Sequence, residues 1–430
     1  MKKLEKYTSY KDSGVEWLGE IPEHWNIEKL KSHCKAYGRI GFRGYTTSDL
    51  VSENEGAITI SPSNIFEYSM IFEKCSFLSW EKYYESPEIQ IEENDILIVK
   101  TGSTFGKVGM VKNLPEKATI NPQLLVLKNI KIEKRFFYYI LTSSIIQTQV
   151  NKQVIGSTIP TISENKILNF ISLLPPKQEQ TKIASYLDEN TAQLDKALSQ
   201  KQKLIELLKE RRQITLNEAV TKGLDKAVEF KDSGIEWIGE IPKHWKLERL
   251  GSNFIERREK VSDKDFEPLS VTKNGVVPQL DSAAKSNDGD NRKLVRKGDF
   301  VINSRSDRKG SSGLSKLDGS VSLINIVLSP IEINSDFSHI LLKSNGFIEE
   351  FYRNGHGIVA DLWTTRFWDM KSIMLAIPTK NEQIKIVEYI ETQTSKIDKA
   401  IELEQKQIAK LKEYKASLID SVVTGKVKVS

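Results

Sequence analysis

Two kinds of apolar pattern run along this chain, and each occurs twice. The first is a long helical stripe. From Ile183, apolar residues recur at alternating steps of four and three through Leu187, Leu194, Ala197, Leu204 and Leu208, with Asn190 and Lys201 interposed. On a helix that spacing lines one face and suits a coiled-coil seam. The stripe returns at Ile386, Ile390, Ile397, Ala400, Leu411 and Leu418, with Gln393, Glu404 and Gln407 in the polar places. Thr379-Lys-Asn-Glu382 opens the second stripe as a capping box, Pro175-Pro176 precedes the first, and Gly223 and Gly425 stand where C-terminal caps belong. About 45 residues at 1.5 Å each make a rod of roughly 65–70 Å, longer than a domain of ~150 residues can cover. The stripes at 177–222 and 380–424 are therefore expected to pack on each other, antiparallel, with a variable domain at either end.

The second pattern is the short apolar run bounded by turn residues, which reads as a buried strand. Ile96–Val99 leads into a Gly-rich turn, Thr101–Gly106, then come a strand at 123–127, helical spacing over 134–150 and a strand at Phe170–Leu174. The order repeats as Asp299–Asn303, a Ser/Gly/basic loop to Gly313, a strand at Val321–Leu328, a helix near 338–353 and a strand at Ile373–Ile377. Both copies read as α+β domains on one scaffold with divergent loops.

The frame around them is duplicated outright. YKDSGVEWLGEIPEHW at 10–25 matches FKDSGIEWIGEIPKHW at 230–245 in twelve of sixteen positions, at an offset of 220. PPKQEQTKIASYLDENTAQLDKAL at 175–198 aligns without gaps to PTKNEQIKIVEYIETQTSKIDKAI at 378–401, at an offset of 203. The order of parts is a conserved motif at 1–25, a variable segment at 26–174, a spacer helix at 175–229, the repeated motif at 230–245, a variable segment at 246–377 and a second spacer helix at 378–430. Two dissimilar inserts in one repeated frame imply an internal pseudo-twofold plan.

Composition narrows the classes of function. The 430 residues are 39% hydrophobic and 28% charged, with two cysteines, Cys34 and Cys75. No apolar stretch approaches the ~20 residues of a membrane span, and no apolar core follows the basic start, so a cytoplasmic protein without membrane association is expected. Net charge is +5, but it is not concentrated. Residues 26–175 hold 17 basic and 15 acidic side chains and residues 246–378 hold 20 and 18, so any nucleic-acid site is a local patch made by folding.

No catalytic constellation emerges. Gly102-Ser-Thr-Phe-Gly-Lys107 imitates a phosphate-binding loop but is one residue short between glycines and lacks the hydroxyl after the lysine; a hairpin turn explains it better. Asn121-Pro122-Gln123 lacks the second proline and aromatic of an amino-methyltransferase turn. His24 and His244 are repeat equivalents beside tryptophans, without ligand-spaced Cys, Asp or Glu, and suit a packing or turn role. Trp17, Trp25, Trp237 and Trp245 are expected as buried plugs at the entrance of each variable domain.

The repeated SG(V/I)EW(L/I)GEIPxHW, the pre-helix PPKQEQxKI and PTKNEQxKI, and their order resemble the specificity subunit of type I restriction-modification systems over nearly the whole chain. The resemblance implies two target-recognition domains, each reading one half of a bipartite asymmetric sequence in double-stranded DNA. It also implies an antiparallel coiled coil that spaces them and docks the modification (methyltransferase) subunits. Such a chain carries no catalytic site, metal or cofactor: S-adenosylmethionine, ATP and magnesium belong to the modification and restriction subunits, and adenine methylation and cleavage to the whole complex. Candidate DNA contacts, chosen by chemistry and position, are Lys100, Thr101, Ser103, Thr104 and Lys107 in the first loop and Asn303, Arg305, Arg308, Lys309, Ser311 and Ser312 in the second. A coiled-coil adaptor displaying two protein-binding domains is the competing class.

Overall fold

The sixteen-residue repeat folds the same way twice. In the computed structural model, which describes residues 5–39, 41–66, 69–153, 160–281, 289–357 and 363–429, Tyr10–Asp12 pairs antiparallel with Glu20–Pro22, and Phe230–Asp232 pairs with Glu240–Pro242 in the same register. The Asp-Ser-Gly turn is set by its side chains. Asp12 and Asp232 accept from the Gly14 and Gly234 amides at 2.9 Å, and both glycines take a φ of +69°, where a Cβ would be strained. Trp25 and Trp245 are fully buried, but Trp17 is 36% exposed and Trp237 only half-buried. One tryptophan of each copy, not two, is the plug.

That tryptophan is clasped to the start of the following long helix. The Glu179 carboxylate accepts from the Trp25 indole at 3.2 Å and meets His24 Nε2 at 2.9 Å. Glu382 accepts from Trp245 at 3.3 Å and meets His244 at 2.8 Å. The neighbouring glutamine fixes the same joint from the other side: Gln180 and Gln383 accept from the amides of Glu133 and Asn334 and donate to the carbonyls of Pro175 and Pro378. The repeated Glu-Gln, histidine and tryptophan are thus one fastening made twice.

The long helices run Lys177–Lys222 and Lys380–Val423. Thr379 and Glu382 form the expected box, with the Thr379 amide donating to Glu382 at 3.1 Å. Gly223 and Gly425 end the helices at φ of +72° and +73°. The chain divides into two units, one of Met1–Gln200 with Gln407–Ser430 and one of Lys201–Lys406, so each unit holds part of both helices. In the first unit Ile183 and Leu187 share a core with Leu418 and Val422, and Lys415, buried, pairs with Asp195 at 2.6 Å. In the second, Lys201 pairs with Glu404 at 2.9 Å and Arg212 with Asp398 at 3.4 Å. In the second unit partner numbers fall on one helix as they rise on the other, so the segments there are antiparallel.

The seam differs from the expected frame by one residue in the first helix. Leu198 and Ile205 are buried while Leu204 is 42% exposed. From Ile183 the inward positions step by four twice, through Leu187 to Thr191, before the three-four alternation begins. The apolar neighbours Ala197-Leu198 and Leu204-Ile205 let either frame fit the sequence.

In both units a variable segment enters and leaves through a two-stranded neck: Asn26–Lys29 with Ile171–Leu174, and Lys246–Arg249 with Met374–Ile377. Beyond the neck lies an antiparallel four-stranded sheet of identical order. It runs Val108–Met110, Ile96–Val99, Leu124–Lys128, Lys35–Gly38 in the first unit and Ser312–Leu314, Phe300–Asn303, Asn325–Pro330, Phe254–Glu256 in the second. Alternation buries both faces. Ile96 and Ile98 join the core that holds the helices, while Leu97 and Val99 join a second core under another sheet. Phe300 and Ile302 against Val301 repeat this. The second sheets diverge: five strands with one parallel pair in the first unit, three in the second.

Three expected elements are split. The helices at 134–150 and 338–353 break into Lys134–Thr142 with Ser144–Asn151, and Ser335–Leu342 with Asn345–Arg353; Ser344 caps the last, accepting from the Phe347 amide at 3.3 Å. The strand at 321–328 is two, Gly319–Val321 and Asn325–Pro330, because Ser322-Leu323-Ile324 is a turn whose Leu323 and Ile324 are exposed.

Candidate nucleic-acid interface

Three separate segments converge beyond the end of the central strand, in the same way in both units. The loop after that strand is closed by Gly106 or Gly310, each at a φ of +79°. The Lys100 and Ser304 amides then donate to Gln123 and Ile324 in the turn before the next strand, at 2.8 and 3.3 Å. The Lys100 and Ser304 carbonyls accept from Ile162 and Thr365 at 3.0 Å, and Thr101 bridges Thr161 as Arg305 bridges Thr364. The phosphate-loop lookalike is accordingly a hairpin turn between paired strands, Ile98 facing Val108.

The first unit opens here into a groove of about 380 Å³ lined by Thr101, Ser103, Thr104, Gln123, Ser63 and Phe66, among others. Ser103 and Thr104 are exposed, and Thr101 donates to Thr161 at 3.3 Å. Lys107 is not a free cation. Its ammonium donates to the Ile65 carbonyl and stands 6.0 Å from the Phe66 ring centre, so it braces the groove wall. Lys100 is half-buried and is not among the groove's lining residues; its ammonium lies against Gly38, near the Glu164 carboxylate. Gln123, missed in sequence, is exposed in the groove, its amide held by Asn121 at 3.2 Å.

The second unit's loop sorts its candidates by burial. Arg305, Arg308 and Lys309 are exposed; Asn303, Ser311 and Ser312 are buried. These three support the loop from within: Asn303 accepts from the Arg305 amide at 3.1 Å, and Ser312 is wholly enclosed. Lys309 is spent on Glu349 at 2.6 Å, and Arg308 lies 3.6 Å from Asp307. Tyr352, its hydroxyl pushed up to about 12 by burial, donates to the Asn303 carbonyl at 3.0 Å. The Lys343 ammonium, lowered by burial, donates to the carbonyls of Lys273, Gly310 and Ser312 at 2.7, 3.2 and 3.3 Å. Burial holds His339 down at about 4, so near neutral pH its Nδ1 accepts from the Leu314 amide at 3.2 Å. The loop backbone is therefore fixed before any ligand arrives.

The groove beside it, about 660 Å³, is lined by Arg258, Lys260, Lys293, Arg305 and Arg366 against one carboxylate, Glu256. Glu256 is taken by Arg258 at 2.7 Å and Lys293 at 3.1 Å. Arg366 and the neighbouring Trp368 lie some 60 residues from the loop in sequence. The cluster Arg366-Phe-Trp-Asp-Met-Lys371, basic and aromatic just ahead of the last strand, was the available signal. Arg39, by contrast, is buried, donating to the Ile120 carbonyl and Thr119, and faces no groove. Among the described residues no three His, Cys, Asp or Glu are grouped to hold a metal ion, and no helix is long and apolar enough to cross a membrane.

Two neutral or basic grooves on one scaffold suit either a nucleic acid or an acidic protein; the comparison with known families decides. Residues 43–208 match the type I restriction modification DNA specificity domain. The chain is similar to type I restriction enzyme specificity subunits along nearly its whole length. It is 28% identical over 187 residues to the MjaVIII specificity subunit of Methanocaldococcus jannaschii, a match spanning 42% of either chain. It is 26% identical over 434 residues, 96% of either chain, to a second protein of that organism provisionally named the MjaX specificity subunit. In fold it is similar to a chain solved in a study of complex assembly and conformational transition of the type I R-M system, with a TM-score of 0.65 and 15% identity over 94% of this chain and 98% of that one. The matched domain is thus one described as a DNA specificity domain.

Proposed function

We propose that this chain is a specificity subunit that reads a bipartite asymmetric DNA target with two independent grooves, one carried by residues 26–174 and the other by 246–377. The observation that supports this is the repeated three-segment convergence bearing different side chains: Thr101, Ser103, Thr104 and Gln123 on one copy, Arg305 and Arg308 on the other. Hydroxyls and an amide suit phosphate oxygens and adenine, whose N6 and N7 match a glutamine; guanidinium groups suit guanine O6 and N7 or phosphate. Different chemistry on equivalent scaffolds gives different half-sites. The long helices serve modification subunits that carry S-adenosylmethionine and transfer the methyl group, and restriction subunits supply ATP-driven cleavage.

The test is selection of duplexes from a random library by the full chain, alone and with its modification subunits. Arg305→Ala with Arg308→Ala should relax preference in one half of the recovered sequence only, and Lys100→Ala with Gln123→Ala in the other only. A lost base contact costs about 1–3 kcal/mol. Equal damage to both halves from either pair would refute independent reading. The chain without partner subunits should transfer no methyl group even when S-adenosylmethionine is supplied.

A further inference from the structure

The segment ahead of the last strand in the second unit carries an arrangement that the loop-based reading does not use. Arg366 opens a short turn, Phe367–Met370, locked by the Asp369 carboxylate accepting from the Arg366 amide at 2.9 Å. Trp368 on that turn is 71% exposed, more than any other large apolar side chain of the described residues. An aromatic side chain of this size would bury roughly 150–250 Å² in a core or an interface, and leaving it in water forgoes that gain. Here it is held on a rigid turn at the rim of a cation-rich groove. The Lys371 ammonium stands 3.1 Å from its ring centre, adding positive charge at the same rim.

Arg305 and Arg366 are brought to this groove from two strands' ends by the Arg305–Thr364 bridge. No carboxylate among the described residues lies within ion-pair distance of either one. Glu256 neutralises only Arg258 and Lys293. Leu323 and Ile324, exposed in the turn before the strand Asn325–Pro330, line the groove as well. Two unpaired guanidinium groups, an indole and two aliphatic side chains therefore face solvent together. A polyanion with apolar patches answers all of them at once. Duplex DNA has phosphates for the arginines, and deoxyribose faces, base edges and thymine methyl groups for the apolar part.

We infer that Arg366 and Trp368 are DNA contacts of the second groove, Arg366 as a phosphate clamp and Trp368 as a non-ionic contact against sugar or base. At the repeat-equivalent places the first unit has Ser163 and Asn165, at the offset of 203 that relates Thr161 to Thr364. The two halves of the target are thus gripped unequally, the second by charge and an aromatic surface, the first by neutral hydrogen bonds.

This inference rests on the reading of the groove as a DNA surface, and the experiment separates the two. Duplexes recovered from a random library by the wild-type full chain serve as the probe, and affinity is measured across a salt series. Arg366→Ala should weaken binding and reduce the slope of log affinity against log salt by about one, whereas Arg366→Lys keeps the slope. Trp368→Ala should weaken binding about ten-fold at unchanged slope, with Trp368→Phe recovering most of it. Thermal midpoints should stay at the wild-type value, because both side chains are exposed. If Arg305→Ala with Arg308→Ala alters the second half-site while Arg366→Ala and Trp368→Ala change neither affinity, slope nor sequence preference, the inference falls and the groove remains a DNA reader. If all of these variants bind as wild type, the DNA reading of this groove falls with it. A loss of binding matched by a lowered thermal midpoint would make Trp368 a structural residue and overturn its assigned role.

Discussion

Glutamine in place of Glu382 removes one charge from the clasp that fastens the repeated motif to the second long helix, and almost nothing else. Burial alone would raise this carboxyl. The His244 ring, the Thr379 hydroxyl and amide, and the Trp245 indole outweigh it and bring the carboxyl down to about 2 from its ordinary 4.5. A displacement of that size corresponds to about 3 kcal/mol if the group were fully enclosed. The side chain is a third exposed, so water screens part of the interaction and about 1–2 kcal/mol is the expected share. The sign follows from the depressed value. The contribution is fully present above the unfolded carboxyl's value near 4.5 and is lost as pH falls through about 2. Glu382→Gln should therefore be less stable than wild type by about 1–2 kcal/mol near neutral pH. The gap should close progressively on acidification below about pH 4.5, since the wild-type carboxyl then becomes neutral as well. Urea unfolding midpoints of both proteins across that range measure the gap directly. A deficit that stays constant or widens in acid would mean that shape rather than charge holds the joint, and the reasoning would be wrong.

Two other substitutions probe the seam and the loop. Ile397→Asp puts a charge at a buried seam position and should cost several kcal/mol by leaving it unpaired; a denaturation midpoint within ~0.5 kcal/mol of wild type would remove Ile397 from the seam. Lys343→Met deletes the donor shared by the Lys273, Gly310 and Ser312 carbonyls, so preference in the second half-site should blur while the first half-site is read as before. Unchanged selection in both halves would mean the loop keeps its shape without that lysine.

Most of the frame could be read in advance because repetition doubled every signal. The glycine caps and the paired Lys201 and Glu404 were legible as equivalent residues in two copies, and the capping box at Thr379 in the second copy alone. The seam register was not, because Leu204 and Ile205 are both apolar and only packing chooses between them. Leu323 and Ile324 misled for a related reason: they extend an apolar run in sequence but lie in an exposed turn on the groove. The loops were found where strand met glycine. Which side chain in them faces outward depends on contacts from elsewhere, such as Tyr352 beneath Asn303 and Glu349 beside Lys309, and no local pattern carries that. Arg366 and Trp368 reach the site through a single backbone bridge between Arg305 and Thr364, a contact that no local pattern carries.

The two-stranded neck makes each variable segment a graft with both ends in one socket. Asn26 faces Leu174 and Lys29 faces Ile171 across one strand spacing, and Lys246 to Arg249 face Ile377 to Met374 likewise. A replacement whose own ends leave an adjacent antiparallel pair can be spliced in at that point without moving the helix behind it. Length matters little to such an exchange, since doubling a closed loop adds only about 0.6 kcal/mol of closure entropy. The second sheets have accordingly drifted to different strand numbers while the neck kept its register. New reading heads could be built by transplanting whole segments between Lys29 and Ile171, or between Arg249 and Met374, with the Glu-His-Trp fastening left in place as the universal mount.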